Sequence, residues 1–134
     1  MQILSRPYGA LHYRLDGPTG APVVLMANSL GTDLRLWEAV LPLLPQGLRY
    51  LRYDKQGHGL SDLGAADRIA DHAADAAALI EAVAPGPVVV LGLSSDKSST
   101  NPVLTRLMRD PTALPCAISL VPGDLSKERL EAIT

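Results

Sequence analysis

The chain has 134 residues, of which 47% are hydrophobic and 19% charged, with a formal net charge of −2. That length suffices for one domain with a buried core and not for two, and the apolar fraction excludes an extended disordered chain. No Lys/Arg-rich run marks a surface for nucleic acid or anionic membranes, and the lone Cys116 excludes an internal disulfide framework and a cysteine zinc cluster.

Met1 to Gly20 includes Arg6, His12, Arg14 and Asp16 and no long apolar run. Neither a signal peptide nor a membrane span is expected there, and a cytoplasmic location follows. Leu11 to Leu15 alternates apolar and polar, which predicts a strand near a sheet edge with His12 at its surface. Asp16-Gly17-Pro18-Thr19-Gly20 is turn chemistry. Pro22 to Ala27 is apolar on both faces, the pattern of a strand covered from both sides in a parallel sheet. Asn28-Ser29-Leu30-Gly31 breaks that run. Thr32 or Asp33 is placed to cap a helix carrying Trp37, Val40, Leu41 and Leu44, which Pro42 shortens or kinks.

Leu48 to Tyr53 reads as a further strand, and Asp54 to Asp62 as a glycine-bearing loop. The clearest helix starts near Asp67 or Arg68 and sets Ile69, Ala73, Ala76, Ile80 and Val83 on one face. Asp71, Asp75 and Glu81 fall on a face expected to be solvated, with His72 beside Asp75. Pro85-Gly86-Pro87 ends the helix, and Val88 to Leu91 is a second strand apolar on both faces. After Leu93 the texture changes, with an unbroken polar run from Ser94 to Asn101. Asn101-Pro102 opens a short helix that ends near Asp110-Pro111. Cys116 to Val121 is a candidate last strand, and Ser126 a cap for a terminal helix through Ile133.

Strands and helices alternating with short links define an α/β chain. The expected architecture is a single domain over residues 1–134, with an open, mostly parallel sheet of about five to six strands flanked by helices. His12, His58, His72 and Cys116 show no ligand spacing, so neither a metal nor a cofactor is expected.

Three stretches together resemble the α/β-hydrolase family. Val23 to Gly31 is similar to the family's third strand and oxyanion loop. Tyr53-Asp54-Lys55-Gln56-Gly57-His58-Gly59-Leu60-Ser61-Asp62 is similar to its D-x-R-G-H-G-x-S-D turn, with Gln56 where Arg is usual. Val88 to Ser94 resembles the fifth strand entering the nucleophile elbow. Within the family, Asn28 to Gly31, Leu36-Trp37 and Asp54 to Asp62 look most like the enol-lactonases of aromatic-compound breakdown. The resemblance covers residues 11–94 and leaves 95–134 as a divergent segment.

The resemblance implies that Ser94 is a nucleophile raised on a tight strand-to-helix turn. It implies that the backbone N–H groups of Leu30 and Ser95 receive the oxyanion, and that Asn28, Ser29 and Trp37 line the pocket of a small-molecule ester or lactone. His58 is read as a structural residue of its turn.

The sequence also departs from the family. The G-x-S-x-G elbow is Gly92-Leu93-Ser94-Ser95-Asp96, and the helix-start signals come late, at Pro102. The family order is Ser, Asp, His, yet no histidine follows His72, and neither Asp110 nor Asp124 has the context of the acid. The chain therefore reads as a truncated α/β-hydrolase fold with impaired hydrolysis. The alternative is a non-catalytic remnant, truncated or recombined, that serves as a binding or assembly module. Such a half-sheet exposes an edge strand, which invites a homodimer or a missing C-terminal half.

Overall fold

A strand such as Val23–Ala27 is stable only with cover above and below. The computed structural model, which describes residues 2–28, 31–64, 69–83, 88–93 and 116–120, provides that cover from two sides. Six strands form one sheet in the order β1-β2-β4-β3-β5-β6. They are β1 (Gln2–Arg6), β2 (Gly9–Asp16), β3 (Val23–Ala27), β4 (Arg49–Tyr53), β5 (Val88–Leu93) and β6 (Cys116–Leu120). β4, β3, β5 and β6 run parallel, while β1 and β2 form an antiparallel hairpin whose second strand pairs with β4. This is the open, mostly parallel α/β sheet expected from the sequence.

Alternation along β3 divides its apolar side chains between two cores. Val23 and Leu25 join Leu51, Tyr53, Val88 and Val90 under one helix, α1 (Ile69–Val83), which contributes Ala73, Ala76, Leu79 and Ile80. Val24 and Met26 point the other way, with Leu91 and Leu93, onto Trp37, Val40 and Leu44. Both faces of the central strands are dry, and all of β3 is buried.

The segment carrying Trp37 is not the expected helix. It forms two single 3-10 turns, Leu34–Trp37 and Leu41–Leu43. Asp33 caps the first, its carboxylate accepting from Arg35 N at 2.9 Å. Pro42 lies in the second, where its missing N–H and its ring prevent an α-helical ladder from continuing. The strand read at Leu11 to Leu15 extends over Gly9–Asp16 and lies one place in from the edge, which β1 occupies.

Three polar positions are corrected by the fold. His12 is buried in β2, and His72 and Asp75 are buried on α1 rather than solvated. Each faces a neighbour brought in from elsewhere in the chain. Among the described residues no helix is long and apolar enough to cross a membrane. The helices expected over 102–110 and 126–133 lie outside the described residues.

Candidate active site

The turn from Asp54 to Asp62 follows β4 and folds back on β2. Its geometry explains why three acceptor side chains recur along it. Asp54 is 2% exposed, and its carboxylate accepts from His12 Nδ1 at 2.8 Å, Leu34 N at 2.8 Å and Leu60 N at 3.0 Å. Ser61 Oγ accepts from His12 N at 2.8 Å and donates to the Asp54 carbonyl at 2.6 Å. Asp62 Oδ2 accepts from Ala10 N at 2.7 Å, while Asp62 N donates to the Ala10 carbonyl at 2.9 Å. On its side away from β1, the first half of β2 thus finds its backbone partners in this turn. Gly59 is required within it, because at φ +50° a Cβ would be strained and would also run into the Asp54 carboxylate.

The same turn holds the chain where it leaves β3. Lys55 is buried, and its Nζ donates to the Asn28 carbonyl. Burial pushes the Lys55 amine down to about 8 from its ordinary 10.5. His58 Nε2 accepts from Gly31 N at 3.0 Å. That bond places the ring proton on Nδ1, which lies 3.2 Å from the Gln56 carbonyl oxygen and donates to it. His58 is therefore committed to backbone at both nitrogens, in keeping with a structural role in the turn. The Asn28 side chain is fixed as well. Its Oδ1 accepts from the Trp37 indole N–H at 2.7 Å, and its Nδ2 donates to the Tyr53 carbonyl at 3.4 Å.

Behind the turn, Asp75 on α1 gathers three donors. Arg6 Nε lies at 2.8 Å, Tyr8 Oη at 2.8 Å and Gln56 Nε2 at 3.0 Å. Arg6, from β1, brings the positive charge that Gln56 does not carry. Burial and the Asp75 carboxylate push the Tyr8 phenol well above its ordinary range. His72, one turn away on α1, meets the edge of the His58 ring with centroids 6.5 Å apart. Burial, then the Lys55 and His58 charges, hold its imidazole below the ordinary histidine value. A cavity of about 270 Å³ opens beside the turn, lined by His12, Asp33, Leu34, Arg35, Asp54, Gly59 and Leu60.

Of the residues singled out from the sequence, Asn28 and Trp37 lie together in the interior, bonded side chain to side chain. Ser29, Leu30, Ser94 and Ser95 lie outside the described residues. The backbone leading to them is described. Ala27 at the end of β3 pairs with Gly92 of β5, so the chain leaves both strands at neighbouring points on one sheet edge. In open α/β sheets that edge is where ligands bind. Lys55 and the His12–Asp54 pair were not singled out. Their signal lay in the 54–62 stretch, but their partners are 27 and 42 residues away.

The fold is similar to that of solved α/β hydrolases, and the chain belongs to that family. Within the family it is similar to 3-oxoadipate enol-lactonases. Enol-lactonase 1 of Acinetobacter baylyi is 36% identical over 63 residues, 47% of this chain and 24% of that protein. The enol-lactonase structure from Burkholderia xenovorans superposes with a TM-score of 0.59 at 35% identity, covering 66% of this chain and 37% of that one. The bifunctional esterase/perhydrolase of Acinetobacter calcoaceticus is 31% identical over 114 residues, 84% of this chain and 41% of that protein. The chain thus spans less than half the length of each of these relatives. No family model matches the sequence.

Proposed function

We propose that this chain is the nucleophile- and oxyanion-bearing portion of an ester or lactone hydrolase of enol-lactonase type. The observation that supports this reading is the register of β3 and β5, with Ala27 opposite Gly92. The segment that begins at Asn28 and the residues that follow Leu93 start from adjacent strand ends. In the proposed reaction Ser94 Oγ adds to the substrate carbonyl and gives up its proton to a base. The negative oxygen is received by the N–H groups of Leu30 and Ser95, where one such donor is worth about 10²–10³ in turnover. The carbonyl carbon's bond to the ester or enol oxygen then breaks, and water releases the acyl group from Ser94.

The base is assigned outside these residues. No histidine follows His72, His58 accepts from Gly31, and His12 is bonded to Asp54. The acid and histidine are proposed to come from further polypeptide, joined to this chain or separate from it. The 134 residues alone are then slow or inert, a reading that Asp96 at the elbow also favours. The partner is a small ester or lactone in the cytoplasm, with no role for nucleic acid or membrane.

The test is hydrolysis of an enol-lactone and a p-nitrophenyl ester by the chain, alone and mixed with the C-terminal half of an enol-lactonase. Turnover in the mixture that falls at least about a hundredfold in Ser94→Ala supports the assignment. Equal rates for the two proteins refute it.

A further inference from the structure

We infer that the cavity beside the 54–62 turn binds a small neutral hydroxylic molecule, a phenol or an alcohol, whose O–H donates to His12 Nε2. The inference stands apart from the proposed hydrolysis, because it uses neither Ser94 nor the segment that follows β3.

One imidazole sets the polar end of the site. The His12 side chain is 9% exposed, and its Nδ1 lies 2.8 Å from Asp54 Oδ2. Asp54 also accepts from Leu34 N and Leu60 N, so it acts as an acceptor towards the ring too, and neutral His12 carries its proton on Nδ1. Nε2 then presents a lone pair, and no described residue bonds it. The sealed side-chain polar atoms without a partner among the described residues are Arg49 Nε, Arg52 Nε, Tyr53 Oη and His72 Nδ1. His12 Nε2 is not one of them, so it opens on space rather than on packed side chains. The space that His12 borders is this cavity. An acceptor so far withdrawn from water is costly to leave unmatched, and a hydroxyl placed against it removes that cost.

The remaining walls set the body of the ligand and exclude a charge on it. Leu34 and Leu60 are the apolar walls. The Arg35 guanidinium is held by Asp33, with Nε at 3.0 Å from Oδ1 and one terminal nitrogen at 2.8 Å from Oδ2. With Asp54 on the same lining, two carboxylates face one guanidinium, which opposes an anion. A cation finds no open carboxylate either, since Asp54 takes three donors and Asp33 is engaged by Arg35. The volume of about 270 Å³ fits one ring. An apolar cavity of about 150 Å³ already accepts benzene.

NMR titration of the chain tests the site, with phenol, cyclohexanol, toluene and benzoate as probes. Phenol and cyclohexanol are expected to shift His12 Nε2 and the Leu34 and Leu60 methyls with a Kd of about 1 mM, the scale for ligands of so few atoms. The tighter of the two tells an aromatic source from an aliphatic one. His12→Asn keeps an N–H donor for Asp54 and deletes Nε2. The affinity for phenol relative to toluene should then fall about threefold to tenfold, the share of one hydrogen bond. Leu60→Trp, at a largely exposed position, fills the cavity and should remove the phenol shifts at the Leu34 methyls.

No saturable shift with phenol or cyclohexanol at about twenty times that Kd overturns the site. An unchanged phenol-to-toluene ratio in His12→Asn overturns the role of Nε2, and benzoate binding tighter than phenol overturns the ligand class. The Leu25 and Val90 amides report that the sheet is intact. If His12→Asn fails to fold by that criterion, Leu60→Trp decides, and phenol binding to it at wild-type strength refutes the cavity.

Discussion

Replacing Asp54 by alanine removes the acceptor around which the turn is wound. The carboxylate takes three donors, from His12, Leu34 and Leu60, at 2.8–3.0 Å, and it is 2% exposed. A hydrogen bond to a charged acceptor is worth about 1.5–3 kcal/mol, and a buried donor left without a partner costs a similar amount. The losses do not simply add, and removing a buried charge recovers part of its desolvation. A net destabilisation of about 3–5 kcal/mol follows. For a chain of this length the thermal midpoint then falls by about 10–18 °C.

Urea unfolding followed by circular dichroism measures the change directly, with the slope expected to hold constant. Asp54→Asn keeps the shape but turns one acceptor into a donor, so it should lie between wild type and Asp54→Ala. A loss below about 1 kcal/mol for Asp54→Ala, with an unchanged slope, would refute the idea that this carboxylate organises the turn.

The remaining predictions concern the same region. Gly59→Ala places a Cβ against the Asp54 carboxylate at φ +50° and should cost about 1–3 kcal/mol in urea unfolding. Lys55 has a folded value of about 8, below its ordinary 10.5, so the unfolded chain binds more protons between those values. Stability should therefore rise from pH 8 towards pH 10, and Lys55→Met should abolish the rise. Asn28→Ala leaves the Trp37 indole N–H without its acceptor and should cost about 1–3 kcal/mol. Trp37 is the one tryptophan of the chain, so fluorescence unfolding curves report that change without interference.

What could be read from the sequence follows from how local each signal is. β3 and β5 are continuous apolar runs, and α1 carries its apolar residues at steps of three and four. Both patterns are complete within a few residues. β1 had no such pattern, because an edge strand with Ile3 half exposed alternates only weakly. The buried polar residues escaped for a different reason. Asp75 meets Arg6 and Tyr8 across 69 and 67 positions, and His12 meets Asp54 across 42. Periodicity on α1 placed Asp75 off the apolar face correctly, but it could not reveal that the β1–β2 hairpin brings a guanidinium and a phenol to cover it. The 33–44 segment shows the converse case. Its apolar spacing suited a helix, and the backbone chemistry of Pro42 prevented one, yet Trp37, Val40 and Leu44 still reached the core.

The strand order also sets a timetable for synthesis. β3 lies between β4 and β5, and β5 begins 35 residues after β4 ends. At about 5–20 residues per second, a ribosome takes about 2–7 s to make that interval. Throughout it, the nascent sheet ends in β3, five consecutive apolar residues with one row of backbone donors and acceptors unmatched. A strand that the folded sheet buries along its whole length is thus an open edge during translation. A chaperone binding nascent chains would find its target there, and an arrest placed before Val88 should yield a polypeptide that aggregates where the longer one does not.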